Sequence, residues 1–336
     1  MNISNEKKFI IKIIFSDEKI HSNDIDNVDL DKLIEQLSSH LIIPLFYVKI
    51  KTKKISSKFP KEFTKYLKYI YEINKERNKK LLREVRMLSR ILDKNNIDYL
   101  FLKGSANLVL NIYEDIGERM IGDIDFLIKK KDIKRTEGVL EKNNYFSQDK
   151  HTFFNFRHLP RRINKKTLFA IEPHIELIRK PELFSANRFF IKSKKYKECR
   201  VPSLENSLIY NVLNFQINDF GNSRMNYSYR SIYDTIQLLK KIDNLKKIKV
   251  DENTYLKNYF STLNYFGITT KKIRNFKENK SYMFFFRFIN GNYYFKKYYQ
   301  KVLSGIWKIE RFFYKIKVFI KDYEYRKYLK RKFIKN

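Results

Sequence analysis

Two aspartates, Asp123 and Asp125 in Gly122-Asp123-Ile124-Asp125-Phe126-Leu127-Ile128, are the residues of this chain best placed to do chemistry. The alternation and run length of Ile121–Ile128 predict a strand, and residues two apart on a strand project to one face. Both carboxylates then point the same way, among Ile124, Phe126 and Ile128. Paired carboxylates in an apolar setting repel each other and lose hydration, and a divalent cation offsets both effects. Mg2+ suits the position, because it takes oxygen ligands and shares them with phosphate. The plainer reading of the same pattern is a strand end whose aspartates face water or pair with nearby lysines.

Some twenty residues upstream lies Lys103-Gly104-Ser105, between a predicted strand (Tyr99–Leu102) and a predicted helix (Ala106–Tyr113). Glycine admits a phosphate to the backbone, a helix start offers free N–H groups, and the Ser105 hydroxyl adds a donor. Alone, the Gly-Ser pair is a weak signal and reads better as a turn. Downstream, Glu172, His174 and Glu176 share one face of a strand predicted over Leu168–Ile178. A third carboxylate on a neighbouring strand bridges a metal or takes a proton from an attacking hydroxyl, and Glu172 is the better candidate of the two acids. The alternative is a solvated edge strand, which Pro173 favours. His151 and His158 lack ligand-like partners and read as ordinary residues.

The elements that must position these groups follow from periodicity. Residues 29–48 and 61–94 each carry an apolar helical stripe. Between 95 and 178 the order is strand, helix, strand, helix, strand, strand, with Asp132 as a cap for the helix through Val139 and Leu140, and a strand expected over Thr152–His158. Helical periodicity returns behind Ser203, a predicted N-cap, and again over 229–246. The expected class is α+β, divided into an N-terminal helical region (1–94), a core (95–200), a helical domain (201–280) and a basic aromatic tail (281–336).

Composition bounds the rest. The 336 residues carry 71 Lys/Arg against 37 Asp/Glu, a net charge of +34, which favours nucleotides, nucleic acid or an anionic membrane face; an AT-rich genome would yield the same bias. The single cysteine, Cys199, excludes an intramolecular disulfide and a zinc cluster. The apolar run Phe9–Phe15, broken by Lys12, makes a poor signal peptide. No apolar stretch is long enough to predict a transmembrane helix, so the expected location is cytoplasmic, with a peripheral membrane position as a variant. In the tail, Ile306, Ile309, Phe312, Phe313, Ile316, Phe319, Ile320 and Tyr323 define an amphipathic helix accompanied by Lys308, Arg311, Lys315, Lys317 and Lys321. Such a helix suits an anionic surface, its own domain, or single-stranded RNA.

The motifs together resemble the uncharacterised nucleotidyltransferase family of the polymerase-beta-like superfamily. The resemblance rests on Lys103-Gly104, Tyr113, Arg119, Gly122-Asp123-Ile124-Asp125-Phe126-Leu127, Asn144-Tyr145 in place of Gly-Tyr, and Glu172-Pro173-His174. It implies a minimal polymerase-beta-like nucleotidyltransferase core, a small mixed sheet with flanking helices. It further implies Lys103, Gly104, Ser105 and Arg119 at the nucleotide, with Arg119 steadying an acid or a phosphate. Asp123, Asp125 and Glu172 would bind Mg2+ (two ions, with Mn2+ as substitute) and be catalytic. The implied reaction is metal-dependent transfer of a nucleoside monophosphate from an NTP such as ATP to an acceptor hydroxyl on RNA, protein or a small molecule, releasing pyrophosphate. The rival is a catalytically silent scaffold that binds nucleic acid, an anionic membrane surface or a protein partner. Where the family carries histidines in its helical region, this chain has Asn211, Asn214 and Gln216.

Overall fold

A computed structural model describes residues 4–147, 157–243, 248–268, 276–321 and 323–334. The N-terminal helices are α1 (Asn5–Phe15), α2 (Ser22–Asp26), α3 (Leu30–Ser39), α4 (Ile43–Thr52) and α5 (Lys61–Lys94). The apolar run at Phe9–Phe15 belongs to α1, whose Phe9, Ile10 and Ile13 are buried. Residues 29–48 are not one helix. The chain leaves α3 through Leu41, whose φ is +55°, and Pro44 then sits in the first turn of α4. Proline lacks the N–H that would continue a helix but fits its first turn, so α3 and α4 meet at a bend of 120°.

The 34-residue α5 spans about 51 Å at the usual rise. Its apolar stripe, which includes Phe63, Leu67, Leu81, Val85 and Leu88, is interrupted by buried Asn74 and Asn78. Those two asparagines hold the loop that leads to Asp123. The Asn74 amide donates to the carbonyls of Gly117 (2.6 Å) and Arg119 (3.1 Å). Asn78 donates to Ile116 (2.7 Å) and Arg119 (2.8 Å), and Arg77 to Ile121 and Gly122. Backbone carbonyls outside regular structure need partners when buried, and this helix supplies them.

The sheet comprises β1 (Tyr99–Phe101), β2 (Ile124–Ile128), β3 (Phe146–Ser147), β4 (Arg162–Ile163) and β5 (Ile171–His174), in the order β1-β2-β5-β4-β3. β2 and β5 run parallel, whereas the remaining neighbours are antiparallel. Every residue of β2 is buried, as its apolar run requires of a strand covered on both faces. α6 (Lys103–Val109) follows β1, and α7 (Ile133–Lys142) follows β2. Asp132 occupies the N-cap position of α7 without a side-chain capping bond. After α7, Asn144 takes a φ of +66°, the left-handed turn that glycine or asparagine tolerates after a helix. The expected strand over Thr152–His158 falls mostly outside the described residues.

β5 is an interior strand, which corrects the edge placement expected from Pro173. Leu159 donates to the Pro173 carbonyl (2.8 Å), and Ile124 donates to Ala170 on the opposite side (2.9 Å). A strand residue turns its nitrogen and carbonyl to the same side, so the missing N–H of Pro173 faces the Leu159 segment. Beside Pro173 on that side, the pairing is an isolated bridge from His158 to His174. The proline therefore costs the β2 ladder nothing.

Beyond the sheet come α8 (Ala186–Ile191) and a hairpin of β6 (Ser193–Tyr196) and β7 (Cys199–Pro202). α9 (Leu204–Leu213) begins at Ser203, whose hydroxyl caps Asn206 N–H (3.2 Å), and continues into a π turn at Asn214–Asn218. α9 packs against α6, α10 (Tyr229–Lys241) and α11 (Thr254–Tyr265). α12 (Lys280–Gly291), α13 (Tyr293–Lys321) and α14 (Tyr323–Ile334) complete the chain. The fold is thus α+β: a small mixed sheet flanked by helices, with helical regions before and after it. No single helix among the described residues is long and apolar enough to cross a membrane.

Candidate active site

The parallel register of β2 and β5 sets Asp125 opposite Glu172 and Leu127 opposite His174. Asp125, Glu172 and His174 therefore share one face, and their ligand atoms lie within 4.8 Å of one another. Asp125 is buried, and its Oδ1 accepts from Lys103 Nζ at 2.8 Å and from His174 Nε2 at 2.6 Å. Burial opposes its charge, but Lys103 and the imidazole N–H outweigh it, holding the carboxyl well below the usual range. Burial likewise opposes the Lys103 charge, and Asp125 more than offsets it, so the ammonium is held above its ordinary value.

His174 is fully buried, and burial pushes it down to about 3 despite Asp125. It is neutral, and the Arg157 guanidinium fixes its tautomer. Arg157 donates to Nδ1 at 3.3 Å, which leaves the proton on Nε2 to be donated to Asp125. The Glu-Pro-His motif carried this residue, but nothing in its type or spacing distinguished a ligand from the hydrogen-bond support seen here.

Asp123 lies just before β2, where burial, then the charges of Asp125 and Glu172, push it up to about 6, with Lys103 and Arg161 acting the other way. Glu172 is half-buried. Glu176, past the end of β5, pairs instead with Lys130 (2.6 Å).

The approach from β1 differs from a simple phosphate turn. Lys103 opens α6 with a φ of +51°, an uncommon conformation for a residue with a side chain. A Cβ on Gly104 would stand 2.8 Å from Ile121 Cγ1, so Gly104 lets the Ile121–Asp123 segment close against α6. The Ser105 hydroxyl is buried and donates to the Leu102 carbonyl at 2.8 Å. It holds the turn rather than facing outward.

Arg119, expected near the nucleotide to steady an acid or a phosphate, is found on an acid. Its Nε and one terminal nitrogen grip Asp234 of α10 (2.8–3.0 Å), and its other nitrogen donates to the Met120 carbonyl. Tyr113 donates to the same carboxylate at 2.8 Å. All three guanidinium nitrogens are engaged, and the group ties the loop before Asp123 to α10. Sequence reasoning missed Asp234, whose signal was only an acid on the buried stripe of a helix. Asn211 bonds to Ser231 and Thr235 of α10, and Gln216 to the Tyr255 carbonyl, so both join helices. On the site's helical side, Tyr210 of α9 is buried with its hydroxyl unpartnered, and Lys103 and Arg157 are its principal charged neighbours.

Glu118, in the same loop, yields a prediction about stability. It accepts from Tyr233 (2.9 Å) and from the Glu114 N–H (3.0 Å), while its other oxygen has no partner. Burial raises it to about 7. A raised acid binds its proton more tightly folded than unfolded, so stability is fully present below about pH 4.5 and falls as pH rises to about 7. The loss is about 3 kcal/mol. Glu118→Gln should remove that loss, and melting temperatures at pH 5 and pH 8 check it: the variant should gain on the native chain only at the higher pH.

Residues 26–257 match the family described as uncharacterised nucleotidyltransferase. Among solved structures, the chain is similar to an antigenic nucleotidyltransferase-like protein from Paracoccidioides brasiliensis. The identity is 16% and the TM-score 0.38, over 55% of this chain and 87% of that one. No curated protein matches.

Proposed function

The chain belongs to the uncharacterised nucleotidyltransferase family, and from that premise we propose that it transfers a nucleoside monophosphate from an NTP to an acceptor hydroxyl. The observation that carries this reading is the convergence of Asp125 and Glu172 on one face of β2 and β5, with Asp123 one step before the strand. Three carboxylates clustered at a partly buried position repel each other and lose water, which suits them to a divalent cation. The donor set fits Mg2+, with Mn2+ as substitute. His174 keeps its Nε2 proton on Asp125, so the oxygens of Asp123, Asp125 and Glu172 are the proposed ligands, and His174 and Lys103 orient Asp125. A bound metal supplies neutralisation of the triphosphate and of the attacking oxygen.

In the reaction, the acceptor oxygen bonds to the α-phosphorus while the bond from that phosphorus to the bridging oxygen breaks, and pyrophosphate leaves. The hydroxyl proton passes to a carboxylate, for which Glu172 is the candidate when it is not a ligand. Lys103, part-exposed beside Asp125, is placed to meet phosphate charge, and Gly104 keeps the two halves of the site together.

Mixing the purified chain with an NTP, Mg2+ and fractions of a cell lysate tests the proposal. Pyrophosphate should appear only with a fraction that contains the acceptor, and chelation should stop it. Release of inorganic phosphate in its place would contradict nucleotidyl transfer.

A further inference from the structure

We propose that the outer face of α13 docks the protein onto an anionic lipid bilayer. The helix carries two apolar faces. At about 100° per residue, Trp307 and Val318 fall on the side toward the body. Trp307 stacks on Phe220 at 4.0 Å beneath the Arg224 guanidinium, and Val318 is buried. On the flank, the Tyr299 hydroxyl donates to the Ser223 carbonyl at 2.7 Å, which anchors the helix further.

The other side is a continuous stripe: Tyr298, Val302, Ile306, Ile309, Phe313, Ile316 and Ile320 recur every three or four residues and are 40–68% exposed. The amphipathic pattern suited packing on the chain's own helices as well; the structure turns this stripe outward instead. Exposed Phe288 of α12 extends it, since its ring lies 4.8 Å from that of Phe295. From Tyr298 to Ile320 the stripe is about 33 Å long at the usual helical rise, far more than scattered exposed apolar residues require.

Charge identifies the occupant. Exposed Lys308 and Lys315 border the stripe on one side, and exposed Lys317 and Lys321 on the other. An apolar stripe between two rows of lysine is the pattern of a helix lying in the plane of a bilayer, its side chains among acyl chains and its cations among anionic headgroups. The lysines forbid spanning and favour lying flat. A second copy fits poorly, because residues 281–336 carry 15 Lys/Arg against 3 Asp/Glu, a net +12 that two copies would bring together. Single-stranded RNA takes a basic groove with stacking rings, whereas this surface is convex and its centre is largely isoleucine.

The test uses the full chain and its co-sedimentation with vesicles of phosphatidylcholine alone or mixed equally with phosphatidylglycerol. Binding is expected only to the mixed vesicles. Two variants on exposed positions, confirmed as folded by circular dichroism, divide the contributions. Ile309→Gln/Phe313→Gln/Ile316→Gln and Lys308→Gln/Lys315→Gln/Lys317→Gln/Lys321→Gln should each weaken it by at least about tenfold. Equal binding to both vesicle types, or full binding by the isoleucine and phenylalanine variant, overturns the proposal. So does native chain that ignores vesicles yet binds single-stranded RNA, or that forms a dimer which the apolar substitutions dissociate.

Discussion

Replacing Asp123 and Asp125 together by asparagine should abolish Mg2+-dependent NTP binding and lower transfer by at least about a thousandfold, the scale expected when metal-held charge stabilisation is lost. The fold should survive. Asparagine matches aspartate in shape, its carbonyl oxygen still accepts the His174 N–H, and the Leu102 N–H to Asp125 carbonyl bond (2.9 Å) belongs to the backbone. Lys103 loses its counter-ion but is part-exposed and can turn to water. Isothermal titration of the NTP with and without Mg2+, beside circular dichroism, checks both halves. An NTP affinity and metal dependence equal to those of the native chain would remove the proposed site.

Glu172→Gln should lower turnover by at least about a hundredfold, the scale of a lost general base or metal ligand, while keeping most of the NTP affinity. Glu176→Gln should leave turnover within about twofold, as expected for a surface ion pair. The contrast follows from register: Glu172 stands opposite Asp125 on the buried face, whereas Glu176 lies beyond β5 and pairs with Lys130. Single-turnover rates with labelled NTP separate chemistry from binding. If Glu176→Gln proves the more damaging variant, the carboxylate facing Asp125 has been misassigned.

The residues that meet at β2 and β5 were legible because the period of a strand is two. Asp125, then Glu172 and His174, could be placed on faces from spacing alone, while their neighbours' apolar character marked burial; Asp123 and Glu176 lie just outside β2 and β5, where that period no longer applies. Pairing between strands was not legible. Pro173 argued for an edge, and only the parallel register, with its proline nitrogen turned away from β2, reveals an interior strand. Long-range side-chain partners were equally hidden. Arg119 and Tyr113 converge on Asp234 from 115 and 121 residues away, a distance across which local pattern carries no information. The same holds for Asn74 and Asn78, which look like flaws in the apolar stripe of α5 until the carbonyls they satisfy are seen. Helix ends set by side-chain chemistry, such as Ser203, were readable; the break between α3 and α4 depended on Pro44, which an apolar stripe alone does not weigh.

The most direct measurement compares NTPs labelled on the α- and γ-phosphorus, incubated with the native chain, Mg2+ and the acceptor-containing lysate fraction. The account predicts that the α label becomes attached to the acceptor, the γ label leaves in pyrophosphate, and both changes vanish on chelation or in the Asp123→Asn/Asp125→Asn variant. Transfer of the γ label to the acceptor, or undiminished α transfer by that variant, would contradict it.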